Sequence, residues 1–169
     1  YTNGDARLED RAKAHPDRAE AIRGWMGKEA GANAKLAYRD FQQECQRERW
    51  KKQVAAGAQV ERPLLASTNT KNPAYPDLRY VGPLSGPHTV NTMPPKTLDA
   101  LRDHGRVART VDQDLDQAEA TMAELARLGI DFQEVTEELE REAVQKFADS
   151  YNELLDAIAQ RRKELLAVS

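Results

Sequence analysis

"PLLASTNTKNPAY", residues 63–75, sets three apolar residues, Leu64, Leu65 and Ala66, directly against Ser67, Thr68, Asn69, Thr70, Lys71 and Asn72. Pro63 breaks any helix in front of it. The apolar triplet reads as a short strand buried on both faces, as strands of parallel sheets are. A similar pattern follows in "HTVNTMPP", residues 88–95, where Thr89 and Val90 suggest a second short strand ended by Pro94 and Pro95. Between the two lies a connection with Tyr75, Leu78, Tyr80 and Val81, punctuated by Pro73, Pro76, Pro83, Gly86 and Pro87.

Helices flank this pair. Residues 1–16 are charged and end in His15-Pro16, which limits any helix there. Asp17–Gly24 is a short helical piece closed by Gly24 and Gly27. A long helix is expected from about Glu29 to Ala56, with Ala34, Tyr38, Phe41, Cys45 and Val54 near one stripe and Gly57 as its terminator. Cys45 on that stripe is a small core side chain. Thr97 should cap a helix of about two turns ending at His104 and Gly105. Asp112–Leu128 carries Leu115, Ala118, Met122 and Leu125 at helical spacing. Asp131 with Glu134 reads as a capping box, and a last helix runs to about Ala167 with Leu139, Ala143, Phe147, Tyr151, Leu154, Ile158 and Leu165 on one face.

Alternation of strand and helix implies parallel pairing with crossovers. Two short strands alone do not make a stable sheet. The chain is therefore a helical protein with an appended ribbon, or the end of a larger α/β fold. Its Tyr1 start, without Met or a charged-then-apolar leader, favours the second.

The 169 residues fit one domain, with 40% hydrophobic and 31% charged residues and a mean hydropathy of −0.78. A net charge of −3 argues against binding nucleic acid by phosphate neutralisation. No apolar run approaches the roughly 18 residues of a membrane span. One Cys excludes an internal disulfide and suits a reducing cytosol. Residues 112–169 hold 15 acidic and 6 basic side chains, a solvated helical face; the first 111 hold 19 basic and 13 acidic. A site for an anion is thus expected in the first part.

In parallel α/β folds ligands sit beyond the carboxyl ends of the strands. Both strands here end in polar clusters: Ser67, Thr68, Asn69, Thr70 and Lys71 on one, Asn91 and Thr92 on the other. Hydroxyls donate to anionic oxygens and Lys supplies a point charge. No acid stands between Leu64 and Pro76 to neutralise it. The alternatives are an ordinary polar turn with a surface lysine, or a Schiff-base role for Lys71. The latter needs a desolvated or cation-flanked amine, which nothing local supplies. His88 and His104 lack a carboxylate or Cys at metal-ligand spacing, so no metal site is expected.

Four stretches carry a family resemblance: "ANAKLAY" (32–38), "RPLLASTNTKNPAYPDLRYV" (62–81), "GPHTVNTMPPKTLDALRDHG" (86–105) and "KFADSYNELLDAI" (146–158). Together, and in this order, they resemble transaldolases of the longer bacterial type. The resemblance implies an α/β fold, the C-terminal portion of a (β/α)8 TIM barrel: its last two strands followed by C-terminal helices. Residues 1–28 would be the lead-in, 29–105 the last helix and strand units, and 106–169 the closing helices. It further implies transfer of a dihydroxyacetone unit through a Schiff base in the cytoplasmic pentose phosphate pathway, with no cofactor. The implied substrates are sedoheptulose 7-phosphate, glyceraldehyde 3-phosphate, fructose 6-phosphate and erythrose 4-phosphate, with neither nucleic acid nor membrane as partner. The Schiff-base lysine and the acid–base carboxylates have no counterpart here, so the chain alone is expected to be inactive. Ser67 and Lys71 match positions that hold the substrate phosphate; Thr68 and Asn91 are added from their place at the strand ends. A non-enzymatic helical scaffold, or fusion to a sugar-phosphate isomerase, are the competing readings.

Overall fold

The computed structural model describes residues 2–167; the Tyr1 start and the last two residues of the closing helices lie outside that range. The chain forms two compact units, Tyr1–Leu128 and Gly129–Ser169.

The first unit begins with helix α1, Thr2–Ala14, in the stretch expected to be limited by Pro16. The helix does stop before that proline, but it runs three turns because Leu8 and Ala12, one turn apart, are both buried. A 3-10 turn at Pro16–Arg18 leads into the short α2, Ala19–Arg23, which buries Ile22. The expected helix over 29–56 is two helices, α3 at Glu29–Gln46 and α4 at Glu48–Ala55. The break is at Arg47, whose extended backbone (φ −69°, ψ 143°) interrupts the ladder with no proline or glycine to mark it. Gly57 follows α4 with φ +95°, as a terminating glycine should.

Strand β1, Leu64–Ala66, pairs in parallel with β2, Val90–Thr92, in the register Leu64–Val90, Leu65–Asn91 and Ala66–Thr92. Both expected strands and their parallel pairing are present. The expected burial is not: Leu64 is 57% exposed, Ala66 is exposed and Leu65 only half-buried. A strand becomes dry on both faces only when layers cover it, and among the described residues the sheet has just these two strands.

Helix α5, Pro95–His104, starts from Pro94 rather than from a Thr97 cap. Proline fits the first helical position because its missing N–H would be unbonded there anyway. Thr97 is instead buried within the first turn. Helix α6, Leu115–Arg127, buries Ala118, Thr121 and Leu125 and packs most extensively on α3. The core of this unit gathers Leu8, Ala12, Ile22, Ala32, Tyr38, Tyr80, Val81, Leu84, Val111, Ala118, Leu125 and Leu128. Polar ties close it: Arg11 Nε donates to Leu128 O at 2.9 Å, and Tyr38 Oη to Pro87 O at 3.0 Å. At Gly86 a Cβ would stand 2.3 Å from Val111 Cγ1, so only glycine lets these segments meet.

The second unit is dominated by α7, Phe132–Ala167. Asp131 Oδ1 accepts from the backbone N–H groups of Gln133 and Glu134 at 2.9 and 3.2 Å, the capping half of the expected box. The apolar face exists in sequence but is open: Phe147, Tyr151, Leu154, Ile158 and Leu165 are all more than half exposed.

Candidate functional site

Parallel pairing places the carboxyl ends of β1 and β2 side by side, so Ser67–Lys71 and Asn91–Thr92 emerge at one end of the sheet. Thr68 is buried, and its Oγ1 donates to Asn91 Oδ1 at 2.7 Å. This bond fastens the two strand exits together. It also commits both side chains, so the buried Thr68 is a strut within the site rather than an open donor.

Ser67, one residue earlier, is exposed and holds φ +54°, the left-handed backbone region that non-glycine residues seldom adopt. It turns the chain sharply out of the strand. Beyond it, Thr70 Oγ1 donates to the carbonyls of Pro76 at 2.9 Å and Asp77 at 3.2 Å, and Asn72 Oδ1 accepts from Ala74 N at 2.9 Å. The segment thus folds back on itself and leaves Lys71 at an exposed position. Thr92 is exposed as well. The strand exits therefore bring Ser67 and Lys71, both at exposed positions, together with Thr68, Thr70, Asn72 and Asn91, whose side chains bind within the segment or across it.

The histidines divide. His88 is exposed with φ +60°. His104 meets two carboxylates: Nε2 lies 3.1 Å from Asp77 Oδ1 and Nδ1 3.1 Å from Asp103 Oδ2. Asp77 foremost, then Asp103, raises the His104 pKa above its usual value, and the same contact with His104 lowers that of Asp77. Asp77 stands 27 residues upstream, and no spacing rule could have joined the pair. The bond ties the end of α5 to the 70–79 segment. Among the described residues no group of three or more His, Cys, Asp or Glu could hold a metal ion, and no helix is long and apolar enough to cross a membrane.

Clefts lie elsewhere among the described residues. One of about 530 Å³ is lined by Phe41, Cys45, Trp50 and Val60, so Cys45, expected in the core, is half-buried on the wall of a cleft instead. Another of about 760 Å³ opens beside α3 and α6 and includes Lys28, Lys35, Arg79, Gln117 and Thr121. Neither contains a strand-exit residue.

Residues 6–158 match the family model described as transaldolase/fructose-6-phosphate aldolase. The chain is 48% identical over 158 residues to the transaldolase of Parafrankia sp., covering 93% of this chain and 41% of that protein. It is 46% identical to the transaldolase of Frankia alni with the same coverage, and 48% identical to that of Acidothermus cellulolyticus over 79% of this chain and 36% of the relative. The chain therefore spans about two fifths of the length of the curated relatives it matches. The match runs through β1, β2, both strand exits and most of α7, and the chain belongs to the transaldolase/fructose-6-phosphate aldolase family.

Proposed function

We propose that this chain forms the phosphate-holding end of a transaldolase, with Ser67 and Lys71 gripping the phosphate of a sugar phosphate. The observation that supports this reading is the pairing of strand exits by Thr68 and Asn91, beside which Ser67 and Lys71 stand at exposed positions just beyond one sheet end. In a (β/α)8 barrel that end is the reactive face, and the loops after the last strands are a frequent phosphate site. The barrel itself, the dihydroxyacetone transfer, the four sugar phosphates named above and a cytoplasmic setting belong to the same proposal. They are supported by the family and by relatives named transaldolase. Family membership disfavours the scaffold reading.

The chemistry of the grip follows from the residue types. Lys71 brings a mobile point charge that lowers the cost of holding a dianion at an open site. The Ser67 hydroxyl adds a donor to the same oxygens. On this reading neither group forms or breaks a bond, and the carbinolamine and Schiff-base steps fall to no residue assigned here.

The test is a titration of the chain with fructose 6-phosphate and, in parallel, with fructose, read by NMR shifts of residues 66–72. The phosphorylated sugar should shift them and fructose should not. Lys71→Ala should weaken binding about tenfold, the order expected for a bond to a charged group. Borohydride added with the sugar phosphate should leave no adduct on Lys71. Equal response to both sugars, or a trapped adduct, would remove the phosphate role.

A further inference from the structure

Behind the strand-exit segment lies a polar cluster that the grip does not use. Gly27, in the turn between α2 and α3, has φ +70°, and a Cβ there would come within 2.9 Å of both Arg79 Nη2 and the Tyr75 ring. Its N–H donates to Asp5 Oδ1 at 2.5 Å, and its carbonyl accepts from Arg79 Nε at 2.9 Å. Tyr75 Oη donates to the other Asp5 oxygen at 2.9 Å, while the Arg79 guanidinium lies 4.3 Å above the Tyr75 ring. The Gly27 peptide is thus held from α1 by Asp5 and from the 70–79 segment by Arg79.

Glu29, the first residue of α3, completes the cluster. It is only 5% exposed, and neither carboxyl oxygen reaches a hydrogen-bond partner. The backbone of α1 crowds it so closely that a Cβ on Gly4 would stand 2.9 Å from Glu29 Cγ and Oε1. Facing it are Asp5 from α1 and Arg79 and Tyr75 from the 70–79 segment; Lys28 beside it on its own element reaches instead over the Trp25 ring at 4.9 Å. Burial foremost, then the charge of Asp5, pushes its pKa up to about 7, against the pull of the Arg79 charge. Tyr75 is pushed to about 12, chiefly by burial and then by its bond to Asp5, so it stays a donor.

We propose that Asp5, Glu29, Tyr75 and Arg79, gathered on the Gly27 backbone, are positioning residues for the Ser67–Lys71 segment. The path is short and explicit. Tyr75 and Arg79 flank Pro76 and Asp77, whose carbonyls accept from Thr70, the residue before Lys71. At the other end Thr68 is fixed by Asn91. Lys71 therefore rides on a segment pinned at both ends, and the cluster is the distal pin. With Glu29 protonated the cluster closes over a neutral group. An ionised Glu29 would put a second, unpaired negative charge beside Asp5 in a dry site, and opening the cluster to water relieves it.

This inference rests on the phosphate reading for its consequence, but its test separates the two. Hydrogen exchange of amides 69–74 is measured in the parent chain, Tyr75→Phe and Glu29→Gln from pH 6 to 8, corrected for intrinsic rates. Tyr75→Phe keeps the ring under Arg79 and deletes only the bond to Asp5. It should speed exchange of 69–74 roughly tenfold, leave amides in α3 and α6 unchanged, and weaken fructose 6-phosphate binding in step. The parent should lose protection at 69–74 as pH rises through about 7, and Glu29→Gln should show a flat profile. Unchanged 69–74 exchange in Tyr75→Phe, or the same pH profile in parent and Glu29→Gln, would overturn the positioning role. If exchange behaves as stated while the parent binds no sugar phosphate, the positioning stands and the phosphate reading falls.

Discussion

At pH 8 the Glu29→Gln chain is expected to be more stable than the parent by about 3 kcal/mol, and near pH 4.5 the difference should vanish. The Glu29 carboxyl rises from an ordinary value of 4.5 to about 7 in the folded chain. Between those values the native state keeps a proton that the unfolded chain has released. Folding then binds protons, so stability falls as pH rises through this window and levels off above it. A displacement of that size corresponds to about 3 kcal/mol at most, at 1.36 kcal/mol per unit. Glutamine preserves shape and neutrality and removes the titration. Urea unfolding followed by the fluorescence of Trp25 and Trp50 checks this directly. A parallel loss of stability in both proteins between pH 5 and 8 would show that Glu29 does not ionise in a dry site.

Leu8→Ala should cost about 2–5 kcal/mol, the range for emptying a buried leucine position. Leu8 is wholly shielded from solvent and, with the buried Ala12, supplies the apolar contact that anchors α1. The helix in turn carries Asp5, so the substitution should loosen the Gly27 cluster as well. Phe147→Ala in the second unit provides the contrast. That ring is 80% exposed on α7, and its removal should change stability by no more than about 0.5 kcal/mol. Equal losses for the two variants would mean that the α7 face is packed in solution.

The contrast between Leu8 and Phe147 also marks what the residues reveal by themselves. Helical spacing located α6 and its buried stripe, and the same spacing on α7 named a face that is open. Periodicity reports that residues share a side; burial depends on whether something covers that side. The same holds for Leu64–Ala66, whose apolar run announced a strand correctly but could not count its neighbours. Helix α1 was obscured because two buried apolar side chains, Leu8 and Ala12, among many charges give little signal. The break at Arg47 has no local mark at all. In the candidate site, composition offered only the polar cluster of residues 67–71 beyond a strand, and the choice of Ser67 and Lys71 within it came from the family resemblance. The Thr68–Asn91 bond, the His104–Asp77 contact and the ties of the Glu29 cluster to α1 join residues 22 or more positions apart, and only the folded chain brings them together.

The left-handed backbone at Ser67 carries a consequence for how such a chain would change under selection. A residue with a Cβ in that conformation costs on the order of 1 kcal/mol that glycine avoids. Selection for thermal endurance alone would favour glycine at the strand exit, and the hydroxyl would be lost with the serine. On the phosphate reading, the chain has accepted a less comfortable backbone to keep a donor at its reactive end. Position 67 is where durability and grip compete for the same atom.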